Sequence, residues 1–284
     1  MATGSSGNAR SLVLAALAGA MLLASLGMSI VTVALPTLVE AFSVSVLAVQ
    51  WVLLAYLMAI TVTIVLAGRL ADVFGHRSIL LIGLALFIGA SLVCAMATGL
   101  AMLIVGRAIQ GMGGATLMAL PIAIARQAVP TQRLGAAMGM LGSMSAIGTA
   151  LGPSLGGLLI AGPGWRATFV LLAGLGLVVL ALAHRVVAAV GQTPQRAQGM
   201  LDGWGALVLT SFLLFYAFAT VGGNAGAMLS RGLSGVLAVA ALVVFVVVEL
   251  RASSPLVPIA SLRDPVTSAS LVMNLLVAAV MMST

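Results

Sequence analysis

The sequence predicts an all-α membrane protein built from about nine transmembrane helices. Of its 284 residues, 62% are hydrophobic and only 6% are charged, and the mean hydropathy is +1.28. Uncharged apolar runs of about 20 residues, the length that crosses a bilayer as a helix, recur along the chain. Soluble domains carry about 25% charged residues. The composition therefore excludes a soluble globular protein.

Charges, prolines and polar clusters set the predicted ends of these helices. The first run is about twice as long as the apolar core of a signal peptide and further spans follow at once, so we predict that it is retained. The break between the third and fourth helices depends only on Thr98 and Gly99. The nine candidates cover residues 12–35, 48–67, 78–97, 101–121, 135–160, 166–184, 204–222, 232–249 and 267–284.

The basic residues indicate how the chain crosses the membrane. All twelve are arginines, and with a cytoplasmic N-terminus nine fall on the inner side and two on the outer side, while Arg107 lies inside a span. The positive-inside rule favours this orientation in the plasma (inner) membrane. The net charge of +7 is therefore assigned to topology, and no nucleic-acid partner is predicted.

Three charged residues cluster in GRLADVFGHR, residues 68–77, between the second and third predicted helices. Gly68 and Gly75 allow a close backbone approach and a tight turn. Asp72 can pair with Arg69, with Arg77 or with a helix N-terminus. A solvated loop with inner-side arginines is the simpler alternative, but the spacing favours a specific gating loop of Gly68, Asp72, Gly75 and Arg77.

The fourth predicted helix contains GRAIQGMGGA, residues 106–115, with Arg107 about six residues, or ~9 Å, from its outer end. An arginine inside a membrane is costly, so a functional role is the default hypothesis. Snorkelling of the side chain to the interface is the alternative. Gln110 and Gly111 follow on the next turn.

The fifth predicted helix contains AIGTALGPSLGG, residues 146–157. Gly148, Gly152 and Gly156 lie four residues apart on one face, a spacing that lets two helices approach closely. Pro153 interrupts the backbone hydrogen bonds, which is tolerated where a neighbour satisfies the freed carbonyl. Generic packing would explain the glycines, but not the added Pro153 and Gly157.

These three segments together resemble the major facilitator superfamily. The first is similar to its loop signature G-x-L-a-D-r-x-G-r-K/R, the second to R-x-x-q-G-x-g-a, and the third to G-x-x-x-G-P-x-x-G-G. LGMSIVTVALP at 26–36, with segments 201–210 and 249–265, resembles the fourteen-span drug:proton antiporters of that superfamily. The resemblance implies a major facilitator type helical bundle with an inverted three-plus-three repeat.

The resemblance also implies a function. It indicates a secondary active exporter of hydrophobic or cationic small molecules that works by alternating access, with protons as coupling ion and the lipid bilayer as surroundings. It assigns a latch to the gating loop, proton coupling to Arg107 with Gln110 and Gly111, and the antiporter motif to the fifth helix. No enzyme activity, cofactor or metal is predicted. A truncated, non-transporting fragment or interaction module and a solute uptake carrier are the alternatives.

The sequence departs from this branch at two positions of the first helix. Gly27 stands where a carboxylate is usual, and Thr32 stands where Asn is common. The five acids are predicted in loops or at helix ends, and no carboxylate is predicted in the middle of a span. Arginine keeps its proton, so Arg107 cannot itself carry the coupled proton.

The resemblance divides the chain into a cytoplasmic tail at 1–11 and a first six-helix bundle at 12–190. A cytoplasmic linker at 191–203 follows, with two additional central helices at 204–249. A cytoplasmic loop at 250–266 then leads to the start of an incomplete second bundle at 267–284, so we expect the chain to be truncated.

Overall fold

A computed structural model of the chain describes residues 3–186, 208, 211, 212, 215 and 228–251. These residues form long helices, and short turns join the first six of them. The helices are α1 (Thr3–Phe42), α2 (Val46–Phe74), α3 (His76–Ala95), α4 (Leu100–Ala128), α5 (Thr131–Ala161), α6 (Arg166–Val186) and α7 (Met228–Arg251).

Six of these helices, α1 to α6, are long and apolar enough to cross a membrane. They overlap the first six predicted spans. The helix α7 covers the predicted eighth span, but its apolar stretch in the described residues, Gly235–Val244, is shorter than a span. The predicted ninth span and most of the seventh lie outside the described residues, as does the linker at 191–203. The predicted count of nine membrane helices is therefore not supported by the described part of the chain.

Three helices end later than the sequence predicts. The helix α1 continues through Pro36 to Phe42, α2 continues to Phe74 instead of ending near residue 67, and α4 continues through Pro121 to Ala128. The prediction ended all three helices at polar or proline residues, yet such residues are tolerated on a helix near the bilayer surface. The predicted break at Thr98 and Gly99 is confirmed, because α3 ends at Ala95 and Gly99 caps the N-terminus of α4.

The helices pack in two matching pairs. The most extensive contacts join α1 to α5 and α2 to α4. Ser25 and Ser29 of α1 contact Ser145 and Thr149 of α5, each 120 residues later, so α1 and α5 run parallel. In a three-plus-three repeat, α1, α2 and α3 correspond to α4, α5 and α6. Under this correspondence the α1–α5 pair becomes the α4–α2 pair, so the observed contacts match such a repeat. The helices α1 and α4 are the most buried and form the centre of the bundle.

The short turns at one end of the bundle are joined by Arg166 and Trp165. Arg166 Nη2 donates to the carbonyl of Ala97 in the α3–α4 turn at 3.0 Å, and its guanidinium lies 4.3 Å from the centre of the Trp165 ring. Trp165 packs against Phe42 and Phe169 with ring centres 5.5 and 6.2 Å away. These contacts hold the start of α6 against the ends of α1 and α3.

Candidate functional site

Arg107 lies in the centre of the bundle, seven residues or ~10 Å into α4. Its side chain is completely buried. Nε donates to the Val52 carbonyl of α2 at 3.3 Å, and Nη1 donates to the Gly27 carbonyl of α1 at 3.1 Å and to Gln110 Oε1. The guanidinium therefore points into the bundle and does not snorkel to the membrane interface.

Tyr56 and Ser91 complete this Arg107 cluster. The Arg107 guanidinium carbon lies 4.0 Å above the centre of the Tyr56 ring, whose hydroxyl donates to the Ala24 carbonyl at 2.9 Å. Gln110 Nε2 donates to Ser91 Oγ at 2.6 Å, so α3 also takes part. Four helices thus hold one cation through backbone carbonyls, an amide and an aromatic ring, which is favourable for a desolvated guanidinium.

The cluster has one open hydrogen-bonding position. Arg107 Nη2 is buried and has no hydrogen-bond partner among the described residues. The two acids within residues 3–186, Glu40 and Asp72, lie at the ends of α1 and α2, so neither neutralises Arg107 in the centre. A fixed positive charge of this kind attracts an anionic group and repels a cation.

Sequence reasoning found Arg107, Gln110 and Gly111 but missed Tyr56 and Ser91. Both could have been identified from the sequence, since each is a polar residue in the middle of an apolar run. Gly111 acts by its small size: an added Cβ would contact the Tyr56 carbonyl and lie 2.9 Å from Ala59 Cβ. This close approach of α2 and α4 brings the Val52 carbonyl within reach of Arg107.

The predicted gating loop is largely helical. Gly68 and Asp72 lie in the last two turns of α2, and Gly75 alone separates α2 from α3. Gly75 has φ +89°, a conformation that favours glycine, and its N–H donates to the Ala71 carbonyl at 2.8 Å. Gly68 has no neighbour within 4 Å of an added Cβ, so the expected close approach is wrong for Gly68.

The charged residues of this segment contact different partners. Asp72 Oδ1 lies 3.7 Å from His76 Nε2, one helical turn away and across the Gly75 link. Arg77 is in the first turn of α3, and its Nη2 donates to the His184 carbonyl of α6 at 3.3 Å. The segment therefore joins the ends of α2, α3 and α6.

The glycines of α5 face α1, as their spacing predicts. An added Cβ on Gly152 would lie 2.8 Å from the Ile30 nitrogen, and one on Gly156 would lie 2.9 Å from the Ile30 carbonyl oxygen. An added Cβ on Gly148 would lie still closer, 2.5 Å from the Leu22 carbonyl oxygen. Gly157 has no such neighbour, so the close packing does not involve it.

Pro153 frees a carbonyl that α1 satisfies. Proline has no N–H, so the Thr149 carbonyl four residues earlier loses its helical donor. Ser29 Oγ of α1 donates to this carbonyl at 2.6 Å. The adjacent α1 residues, from Ala24 to Ile30, thus contact both the Arg107 cluster and the α5 motif, whereas the Gly75 segment lies apart from both at one end of the bundle.

A comparison of the sequence with known families matches residues 17–284 to the description "Major Facilitator Superfamily". The chain belongs to the major facilitator superfamily. The chain is therefore a member of a transporter family and not of an enzyme family.

Several curated superfamily proteins resemble the chain over most of its length. The tetracenomycin C resistance and export protein of Streptomyces glaucescens is 32% identical over 267 residues, which are 93% of this chain and 49% of that protein. The methylenomycin A resistance protein of Bacillus subtilis is 32% identical over 249 residues, 87% of this chain and 53% of that protein. The chain spans about half the length of these relatives.

Two solved transporter structures share the fold of this chain. The human organic anion transporter MFSD10 gives a TM-score of 0.59 at 18% identity and covers 74% of this chain and 56% of that one. A bacterial homologue of the human lysosomal transporter Spinster gives 0.57 at 18% identity, with 87% and 63% covered. At this identity the similarity concerns the helical fold alone.

Proposed function

We propose that this major facilitator protein is a secondary active exporter of hydrophobic or cationic small molecules, coupled to protons. Relatives named for resistance and export support the direction of transport. The observation that carries the proposal is the completely buried Arg107, held by groups from four helices in an otherwise apolar bundle. Because a charge inside a membrane is costly, charged residues at such positions are functional by default.

Arg107 would act through the ionisation of another group. A fixed positive charge makes a nearby carboxylic acid easier to ionise and stabilises the resulting anion. The same positive charge repels a cationic solute, so the solute would bind at the ionised acid. A proton binds that ionised form too, so solute and proton would compete for it. Gly27 supplies only a carbonyl to Arg107, so we propose that the acid is Asp202, Glu249 or a residue outside this chain.

Alternating access would use two contacts outside the Arg107 cluster. The parallel α1 and α5 contact each other through the α5 glycines. The small size of these residues would allow one helix to slide past the other. The Gly75 link and its neighbours Asp72 and Arg77 would act as the latch that limits movement of α2 and α3. Gly68 and Gly157 have no close contact that would add to either role.

We also propose that the protein lies in the plasma membrane with a cytoplasmic N-terminus. The turns of α2–α3 and α4–α5 and the last turn of α6 share one end of the bundle. These three segments and the helix ends beside them carry five arginines, whereas Arg166 lies at the other end. The five are Arg69, Arg77, Arg126, Arg133 and Arg185.

The transport proposal is tested by dye efflux from vesicles that contain the complete protein. We expect Arg107→Ala to abolish efflux of a cationic fluorescent dye driven by a proton gradient, because the fixed charge is lost. Arg133→Ala is the matched control: Arg133 is exposed near one end of α5, and efflux should continue. Unchanged efflux by correctly inserted Arg107→Ala protein would reject the role of Arg107, and gradient-independent wild-type efflux would reject proton coupling.

A further inference from the structure

A groove between α3 and α6 lies on the side of the bundle, apart from the Arg107 cluster. Its volume is about 430 Å³, within the ~300–1,000 Å³ typical of small-molecule sites. One wall is Leu81 of α3, and the other is a continuous face of α6. The lining residues on α6 are Leu177, Leu180, Ala181, His184 and Arg185.

The lining changes from apolar to basic along the groove. Leu177 is 56% exposed, and with Leu81 and Leu180 it gives an aliphatic surface that faces outward. His184 and Arg185 follow in the last turn of α6. The distance from Leu177 to Arg185 along the helix is ~12 Å. A ligand that fits both parts has a flexible hydrocarbon chain and an anionic head.

The basic end of the groove has no acid beside it in residues 3–186. Arg185 is exposed and has no ion-pair partner among those residues. Arg77 of α3 reaches the same place, because its guanidinium donates to the carbonyl of His184. Within residues 3–186, the acid at this end is Asp72, which lies beside His76.

Arginine at the end of a helix also interacts favourably with the helix dipole, and it obeys the positive-inside rule. Those effects explain why α6 ends in a basic residue. They do not explain an aliphatic groove on the outside of the bundle that leads to that residue. Basic pockets between membrane helices are typical sites for anionic lipid headgroups.

We propose that the α3–α6 groove binds an anionic phospholipid of the surrounding bilayer. An acyl chain lies along Leu81, Leu177 and Leu180, and the phosphate contacts Arg185 with Arg77 nearby. The groove lies on the side of the bundle, where the surrounding bilayer supplies phospholipids at high local concentration. This inference requires that α3 and α6 cross the membrane, and it does not depend on the proposed transport activity.

The charge requirement is tested by native mass spectrometry of the purified full chain, titrated with phosphatidylglycerol or phosphatidylcholine of identical acyl chains. We expect phosphatidylglycerol to bind about fivefold more tightly, the factor for one arginine near a phosphate. Arg185→Gln should remove the preference. Arg133→Gln changes an exposed arginine on α5, outside the groove lining, and should keep it.

The apolar requirement is tested by filling the groove. Ala181→Phe places a ring in the groove without changing charge and should reduce bound phosphatidylglycerol at least twofold. Val178→Phe is the control, because Val178 is on the same helix, 66% exposed and outside the lining. Full lipid occupancy in Ala181→Phe, or equal loss in both variants, would overturn the proposal.

Four other outcomes would also reject the lipid site. Equal affinity of the wild type for the two lipids would remove the role of the headgroup charge. Equal loss of preference in Arg185→Gln and Arg133→Gln would indicate diffuse surface charge. Complete displacement of phosphatidylglycerol by millimolar inorganic phosphate would indicate a simple anion site, and no lipid binding at all would indicate that the chain after residue 186 covers the groove.

Discussion

At the scale of single residues, backbone carbonyls explain how polar groups are accommodated in the bundle. Arg107 uses the carbonyls of Val52 and Gly27, and Ser29 donates to the carbonyl that Pro153 leaves without a helical donor. The charge and the proline were predictable from the sequence. Their partners were not, because a carbonyl belongs to every residue type and only packing selects which one is reached.

The Ser29 contact leads to a prediction about stability. Ser29→Ala leaves the Thr149 carbonyl without its donor and should lower the free energy of unfolding by about 1 kcal/mol, the usual size of such bonds in membranes. Ser143→Ala is the control, because the exposed Ser143 hydroxyl donates only within α5, to Gly139. Reversible unfolding of the purified chain in detergent and denaturant measures both.

A double-mutant cycle separates this hydrogen bond from general packing. In a Pro153→Ala background the new N–H can bond the Thr149 carbonyl, so Ser29→Ala should cost less than half as much as with Pro153 present. An equal cost of Ser29→Ala in both backgrounds would show that the Ser29 hydroxyl does not compensate for the proline.

At the scale of helices and turns, the segment at 68–77 shows how a charged motif can mislead about structure. Its charges predicted a loop, but α2 runs through Asp72 to Phe74 and only Gly75 breaks the helix. The polar side chains of Arg69 and Asp72 can lie on a helix at the membrane surface. The turn is determined by the residue that tolerates positive φ, and not by the residues that are charged.

The two glycines of this segment should therefore respond to alanine in opposite ways. Gly75→Ala forces a Cβ into φ +89° and should destabilise the protein by about 1–3 kcal/mol. Gly68→Ala lies in a helix with open space around the new Cβ and should be neutral or stabilising by up to about 1 kcal/mol. Thermal unfolding of both variants measures the difference, and equal stability would contradict the turn geometry.

At the scale of the whole molecule, the helices α1 to α6 form two sets of three with matching contacts. The pairing of α1 with α5 corresponds to that of α2 with α4, and α1 and α4 occupy the centre. The buried Arg107 lies where the central helices α1 and α4 meet α2 and α3. The chain spans about half the length of its curated relatives, so transport is proposed for the whole protein.

The charge distribution predicts which end of the bundle is cytoplasmic. In a Cys94→Ser background, Gln132→Cys places a thiol at the arginine-rich end and Ala161→Cys places one at the opposite end, both at exposed positions. A membrane-impermeant maleimide added to intact cells should label Ala161→Cys and not Gln132→Cys. Labelling of Gln132→Cys alone would invert the proposed orientation.

The sequence by itself determined the membrane class, the six helices from α1 to α6, the buried Arg107 and the glycine face of α5. These depend on local composition and on helical periodicity, which can be read without knowing the neighbours. Only the tertiary structure decided that Tyr56, Ser91 and the Gly27 carbonyl surround Arg107, that Ser29 satisfies the carbonyl freed by Pro153, and that α3 and α6 enclose a groove. Each of these joins residues distant in sequence, and helix packing determines which of them meet.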